Sequence, residues 1–233
     1  MNILAFIPAR GGSKGIPGKN LYQIAGNPLL FYTIDLAKKI DKSVIPFLST
    51  DDIEIKAYGR SLGLNDDYLR PKDLASDSSA TIDAVMHALE WIQKSSELQV
   101  DAVLLLQPTS PIRILSEVQN AIHRFKEKKM ESLVSVTLMR EHPFECIKSV
   151  EESWSFLEKP SEKVTGRQGY TGKYYFLDGS FYLASVDFLK NNKAFVVEGK
   201  TKLFESDLRY SIDIDELEDM KIAESILERK LKL

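Results

Sequence analysis

The chain has 233 residues, 43% hydrophobic and 28% charged, with a formal net charge of −3. This composition suits a globular protein with a real core, and the slightly acidic balance gives no reason to expect nucleic acid as a partner. The single cysteine, Cys146, excludes an internal disulfide and carries no local signature of a catalytic thiol.

Residues 2–7 form a short apolar run that reads as a buried strand ending at Pro8. No basic segment precedes it and it is too short to cross a bilayer, so a cytoplasmic protein without a membrane partner is expected. The next stretch, "IPARGGSKGIPGKN" (residues 7–20), sets Gly11, Gly12, Gly15 and Gly18 among Arg10, Lys14 and Lys19. Glycines let backbone N–H groups approach an anion closely, and the cations neutralise it, so the loop suits a small phosphate-bearing ligand. Register excludes a Walker A loop: Ser13 stands where its first glycine belongs, and Asn20 follows Lys19. The dinucleotide fingerprint is absent too. The plainer reading is a surface turn with solvated lysines.

Helical spacing then marks residues 28–40, through Leu29, Leu30, Ile34 and Leu36–Ala37, and a strand is expected over 44–48, ending in "STDD". A helix over 52–62 stops at Gly63. The polar loop "RPKDLASDSSAT" (residues 70–81) leads into a helix over 81–93 with Ile82, Val85, Leu89 and Ile92 on one face. Residues 101–106 are apolar enough for a strand buried on both faces. "LLLQPTSPIR" (residues 104–113) puts Gln107, Thr109, Ser110 and Arg113 at the carboxyl end of that strand, or is an ordinary turn with Ser110 or Ser116 capping a helix over 115–125. A strand over 133–138 follows.

This alternation implies an α/β protein with a mainly parallel, doubly wound sheet, in one domain over 1–233. The rhythm breaks over 139–176, which read as an inserted β-rich arm with short strands at 147–150 and 154–157. Strands over 181–184 and 210–214 and a helix over 217–231 complete the chain. "SIDIDELEDM" places Asp213 and Asp215 two apart, facing one way if the segment is a strand. Such a pair suits Mg²⁺; equally, Asp215 caps the last helix with Glu218 as capping-box partner. Both can hold at once. Of the three histidines, His87, His123 and His142, none suggests a nucleophilic triad, and His87 reads as structural.

In this order, "IPARGGSKGIPGKN", "RPKDLASDSSAT", "LLQPTSPIR" and "SIDID" resemble the bacterial CMP-sialic acid synthetases, the acylneuraminate cytidylyltransferases. The resemblance spans essentially the whole chain, and the first and third motifs together are specific. It implies a Rossmann-like nucleotidyltransferase fold and a homodimer whose arm, residues 139–176, reaches the partner's site. It further implies Mg²⁺, CTP and a nine-carbon keto sugar acid, whose anomeric hydroxyl attacks the CTP α-phosphate to give a CMP-sugar and pyrophosphate. On the same basis Arg10, Ser13, Lys14, Lys19 and Asn20 hold the triphosphate, with Arg10, Lys19 and Asp213 as catalytic groups. Arg70 and Thr81 lie by the cytidine, Gln107 and Arg167 by the sugar, and Asp213 and Asp215 bind Mg²⁺. The chain departs from the pattern at Phe176, where a second arginine is expected, at Asp178, in place of Asn before Gly179, and at Glu145, where several relatives carry Lys. Lys173 is a candidate replacement cation. These departures point to legionaminic acid or another diamino relative rather than N-acetylneuraminic acid. The alternatives are activation of Kdo or a sugar 1-phosphate, or a nucleotide-binding module without turnover. Phe195 is expected in the core, with an acyl pocket as its other reading.

Overall fold

The computed structural model describes residues 1–13, 15–64, 67–159, 172–207 and 211–231, with residues 230 and 231 described by backbone alone. Strand β1 (Ile3–Pro8) is followed by the glycine-rich loop, a small hairpin of β2 (Gln23–Ile24) and β3 (Asn27–Pro28), and helix α1 (Leu29–Ile40). Next come β4 (Val44–Ser49), α2 (Ile53–Ser61), α3 (Thr81–Ser95), β5 (Ala102–Leu105), α4 (Leu115–Glu127) and β6 (Ser132–Leu138). A separate antiparallel hairpin, β7 (Ile147–Val150) and β8 (Ser153–Phe156), precedes β9 (Tyr175–Ser185), α5 (Val186–Asn192), β10 (Lys202–Glu205) and α6 (Leu217–Leu231).

Six strands form one sheet in the order β10-β6-β9-β5-β1-β4. All pairings are parallel except those of β9, which runs antiparallel to β5 and β6. The expected mainly parallel α/β fold is therefore present. The alternation along β1 shows why its residues are apolar throughout. Ile3, Ala5 and Ile7 pack with Leu30 and Ile34 of α1 and Phe125 of α4, whereas Leu4 and Phe6 pack with Val85 of α3 and Phe188 of α5. Phe195 joins the second of these layers, against Tyr182, as expected of a core residue. His87 is likewise structural: its Nδ1 shares a 3.0 Å hydrogen bond with the Tyr68 hydroxyl. From β1 the chain passes outward to β4 and then returns to β5 on the other flank, so the topological switch lies between β1 and β5. A crevice is expected beyond the carboxyl ends of those two strands.

A third apolar cluster joins parts of the chain far apart in sequence. Ile16 of the glycine-rich loop, Ile112, Ile214 and Met220 of α6 are all nearly or fully buried together. Burying an isoleucine stabilises the fold by about 1.5–3 kcal/mol, so Ile16 is an anchor that fixes the loop's place.

Several expectations need correction. Residues 208–210 lie outside the described part of the chain, and the described remainder of the strand expected over 210–214 is irregular. No ladder forms there because the Ile214 N–H donates to the Thr109 carbonyl and the Ile214 carbonyl is taken by the Lys19 ammonium. β9 is longer than the stretch 181–184, and α5 and β10 were not anticipated. Asp178 and Gly179 interrupt the apolar pattern that would have extended β9 in the sequence. The fold tolerates Asp178 because a register irregularity between Val134 and Val136 frees Ser135, whose hydroxyl donates to the buried carboxylate. The Ser206 hydroxyl and the Ser180 N–H also donate to it. Among the described residues, no helix is long and apolar enough to cross a membrane.

Candidate active site

A cavity of about 330 Å³ opens where the topology puts it, past the ends of β1, β4 and β5. Arg10, Ser13, Lys19 and Asn20 line it from the glycine-rich loop, and Gln107, Pro108 and Thr109 from the turn after β5. Arg70, Ser76, Asp77, Ser79 and Thr81 line it from the polar loop leading into α3, and Asp215 completes the rim. The structure thus brings together Arg10, Ser13, Lys19, Asn20, Arg70, Thr81, Gln107 and Asp215 from separate parts of the sequence. Lys14 and Arg167 lie outside the described residues.

Each wall has a local cause. The Asn20 amide donates to the Arg10 carbonyl at 2.9 Å, which closes the loop on itself. The Lys19 ammonium, with its side chain only 11% exposed, donates to the Ile214 carbonyl at 2.7 Å and lies 3.4 Å from an Asp215 carboxylate oxygen. Gly15 packs so closely against this segment that a Cβ would sit 2.6 Å from the Asp215 carbonyl oxygen, so only glycine fits. Thr81 opens α3, whose N-cap residue, Ala80, gives the first N–H groups no side-chain acceptor. Arg70 is buried, its guanidinium donating to the Ser49 hydroxyl and carbonyl, and burial lowers its pKa. It braces the cavity wall as well as lining it.

Arg113 differs from its expected place. Instead of presenting a cation to the cavity, it is buried and bonds to backbone and side chains behind it. It donates to the Gln107 carbonyl at 2.7 Å, to the Ser180 carbonyl and to the Thr33 hydroxyl at 3.2 Å. Burial pushes its pKa down to about 9, against the opposing pull of Asp178 and Asp213. Arg113 is therefore a positioning residue that ties the Gln107 turn to β9 and α1. Gly179 of β9 lies over this turn at φ 72°, where a Cβ would come within 3.1 Å of the Ser110 hydroxyl. The positive φ favours glycine, and a Cβ there would make the Ser110 hydroxyl give way by a few tenths of an ångström.

The acidic pair is split in its surroundings. Asp213 and Asp215 are both exposed and flank the fully buried Ile214, in a segment that is not a strand. Asp215 lines the cavity, while the charge of Asp213 acts on Arg113 and Tyr182, towards β9. The start of α6 is capped differently from the capping box expected. Asp219, not Glu218, accepts from the N–H groups of Asp215 and Glu216, each at 2.9 Å. Those bonds leave both Asp215 carboxylate oxygens outside the cap.

Sequence reasoning missed Asp77, whose carboxylate meets Arg10 at 2.7 Å, and Ile16 as the loop's anchor. An acidic residue between serines in a polar loop gives no signal until the fold brings Arg10 beside it. Ile16 could have been found as the one aliphatic side chain inside an otherwise polar loop.

A family model described as cytidylyltransferase matches residues 4–148. The chain is 37% identical to the CMP-N,N'-diacetyllegionaminic acid synthase of Legionella pneumophila, covering 98% of this chain and 97% of that protein. It is 30% identical to the N-acylneuraminate cytidylyltransferase of Escherichia coli, covering 98% of this chain but 52% of that protein. Among solved structures, a CMP:2-keto-3-deoxy-manno-octonic acid synthetase complexed with CTP superposes with a TM-score of 0.72, covering 99% of this chain at 16% identity, which shows a shared fold.

Proposed function

The chain belongs to the cytidylyltransferase family, and from that premise we propose that it activates a nonulosonic acid with CTP, yielding the CMP-sugar and pyrophosphate. The observation that carries this reading is the convergence of Arg10, Ser13, Lys19, Asn20, Arg70, Thr81, Gln107 and Asp215 on one cavity at the switch between β1 and β5. Nucleotidyl transfer needs charge neutralisation and in-line placement more than a covalent nucleophile, and Arg10, Lys19 and Arg70 bring cations to this cavity for the former. Arg10 and Lys19 would neutralise the phosphates, with Ser13, Asn20 and the neighbouring Lys14 completing the cradle. Arg70 and Thr81, at the α3 end, would meet the cytidine. Gln107, held by Arg113, would orient the sugar acid, and Arg167 would pair with its carboxylate.

Asp213 and Asp215 fit Mg²⁺ as its protein ligands. They supply two exposed carboxylates two residues apart, and neither is used by the helix cap. Among the described residues no group of three or more His, Cys, Asp or Glu is placed to hold a metal, so the remaining positions would fall to phosphate and water oxygens, as Mg²⁺ prefers. When bound, the ion would neutralise charge developing on the phosphates.

The diamino identity of the sugar is favoured by the 37% identity to the Legionella pneumophila synthase, against 30% to the Escherichia coli enzyme. The test is pyrophosphate release from CTP and Mg²⁺ with N,N'-diacetyllegionaminic acid, N-acetylneuraminic acid and Kdo in parallel. We expect the first to react fastest. Kdo as the best substrate would replace this reading, and CTP binding without release across the panel would make the chain a non-catalytic module.

A homodimer is part of the same proposal. Ile147, Trp154, Phe156 and Leu157 on the β7–β8 hairpin and Phe176 on β9 are all exposed, Trp154 by 62%. These exposed apolar side chains, with Trp154 against Phe156 and Phe156 paired to Ile147 across the hairpin, favour cover by a second copy, with residues 139–176 as the dimerisation element. Light scattering of Trp154→Glu would then report a shift from dimer to monomer.

A further inference from the structure

The turn after β5 carries a polar group that the site has so far not used. Ser110 is 1% exposed, and its hydroxyl is buried with no hydrogen-bond partner among the described residues. It does not cap α4, which starts after Ile114 without a side-chain cap. A hydroxyl buried unpaired is costly, and native structures rarely keep one without a use.

The backbone of this turn is held firmly. The Ser110 N–H donates to the Gln107 carbonyl at 3.2 Å, and the Arg113 guanidinium donates to the same carbonyl at 2.7 Å. The Thr109 carbonyl accepts from the Ile214 N–H at 2.8 Å. The Gln107 side chain, which lines the cavity, has no such hold on its amide among the described residues. Both side chains border one gap. At the point over Gly179 where a Cβ would sit, the Ser110 Oγ comes within 3.1 Å and the Gln107 Oε1 within 3.8 Å, while the Gln107 amide nitrogen stays beyond 4 Å. Glycine at 179 thus keeps open the space between a donor without an acceptor and an amide oxygen without a donor.

Resting on the sugar-acid reading above, we propose that Ser110 is a positioning residue for Gln107: as the sugar acid enters, the Gln107 Oε1 swings onto the Ser110 hydroxyl, and the amide nitrogen is turned to the ligand. The hydroxyl donates and the amide oxygen accepts, so the sugar acid meets an N–H donor and not a carbonyl. Gln107 then selects a ligand oxygen that accepts, such as that of a carboxylate or an acyl group, over one that can only donate. Ser110 does not line the cavity, so it acts on the ligand through Gln107 alone.

The test is the steady-state kinetics of pyrophosphate release by the full chain with CTP, MgCl₂ and N,N'-diacetyllegionaminic acid. Wild type, Ser110→Ala, Gln107→Met and the double variant are compared, and the melting temperature of each is recorded. Ser110→Ala is expected to raise the KM for the acid by about three- to tenfold, the scale of one hydrogen bond. Its kcat and its KM for CTP should change by less than about twofold. The melting temperature should not fall, because the hydroxyl has no partner to lose. In the Gln107→Met background, where no amide remains to be turned, Ser110→Ala should change the KM for the acid by less than about twofold. Ser110→Cys, with a weaker donor in a side chain of the same shape, repeats the measurement should alanine disturb the turn, and its KM should fall between those of wild type and Ser110→Ala. An unchanged KM for the acid, an equal rise in the KM for CTP, or a full rise that persists over Gln107→Met would overturn the proposal while leaving the proposed activity intact. A wild type that releases no pyrophosphate with this acid would overturn the sugar-acid reading itself, and this proposal with it.

Discussion

Replacing Lys19 by Met keeps the length and apolar stem of the side chain and removes its ammonium. In the free protein that ammonium donates to the Ile214 carbonyl at 2.7 Å and lies 3.4 Å from Asp215. The charge-assisted bond contributes about 1.5–3 kcal/mol. The pair with Asp215, whose side chain is 80% exposed, adds no more than about 1 kcal/mol. Against these stands the cost of keeping an ammonium 11% exposed, which the substitution relieves. The net loss is about 2 kcal/mol, or roughly 4–8 °C in melting temperature for a chain of this size. Removing a cation from a developing phosphate charge should lower kcat/KM for CTP by about 10²–10³-fold. Thermal melts and pyrophosphate release, with Lys19→Arg as the charge-retaining control, measure the two effects separately. A normal melting temperature would show that the tie to Ile214 does not stabilise the fold. A lowered melting temperature with unchanged kcat/KM would make Lys19 a structural clip that never meets the phosphates.

The acidic residues at the start of α6 should separate cleanly. Asp213→Asn should cut turnover by about 10²-fold or more while leaving the melting temperature unchanged, because the group is exposed; near-normal turnover would remove it from the metal proposal. Asp219→Ala should instead lower stability by about 1 kcal/mol with little effect on kcat, since it removes the acceptor for two helix-start N–H groups. The N–H groups of Glu216 and then Asp215 hold the Asp219 carboxyl below its ordinary 3.8. A depressed carboxyl stabilises above its unfolded pKa and loses that contribution as pH falls through the folded value. The melting temperatures of wild type and Asp219→Ala should therefore differ at neutral pH and converge as pH falls below 3.8. Asp178→Ala strands the donors of Ser135, Ser180 and Ser206 and should cost about 2–4 kcal/mol, measured by denaturant unfolding. Asp178→Asn should cost less, because the two hydroxyls can turn to accept from an amide.

Much of the fold was legible along the chain because its signals are local. Apolar runs such as 101–106 suit only a strand covered on both faces, and the 3.6-residue spacing of Val118, Ile122 and Phe125 suits only a helix resting on it. The glycine-rich loop declared its chemistry in the same way, through glycines and cations packed into fourteen residues. Less visible were elements whose stability comes from partners elsewhere. β9 holds a carboxylate in its interior only because Ser135 and Ser206 reach it, so residues 175–180 lack the pattern of a strand.

By itself the sequence determined the alternation of strands and helices, the position of the anion-binding loop and the acidic pair near its end. Tertiary structure alone decided which side chains face the ligand. Arg113 and Arg10 look alike as cations beside strand ends, yet bonds to Thr33 and β9 hold Arg113 behind the cavity, while Arg10 lines it and meets Asp77 there. The match of Arg10 with Asp77, and of Lys19 with a carbonyl 195 residues further on, follows from Ile16, Ile112 and Ile214 being buried together. Burial of that kind is non-directional and acts at any separation along the chain, so no local pattern could announce it.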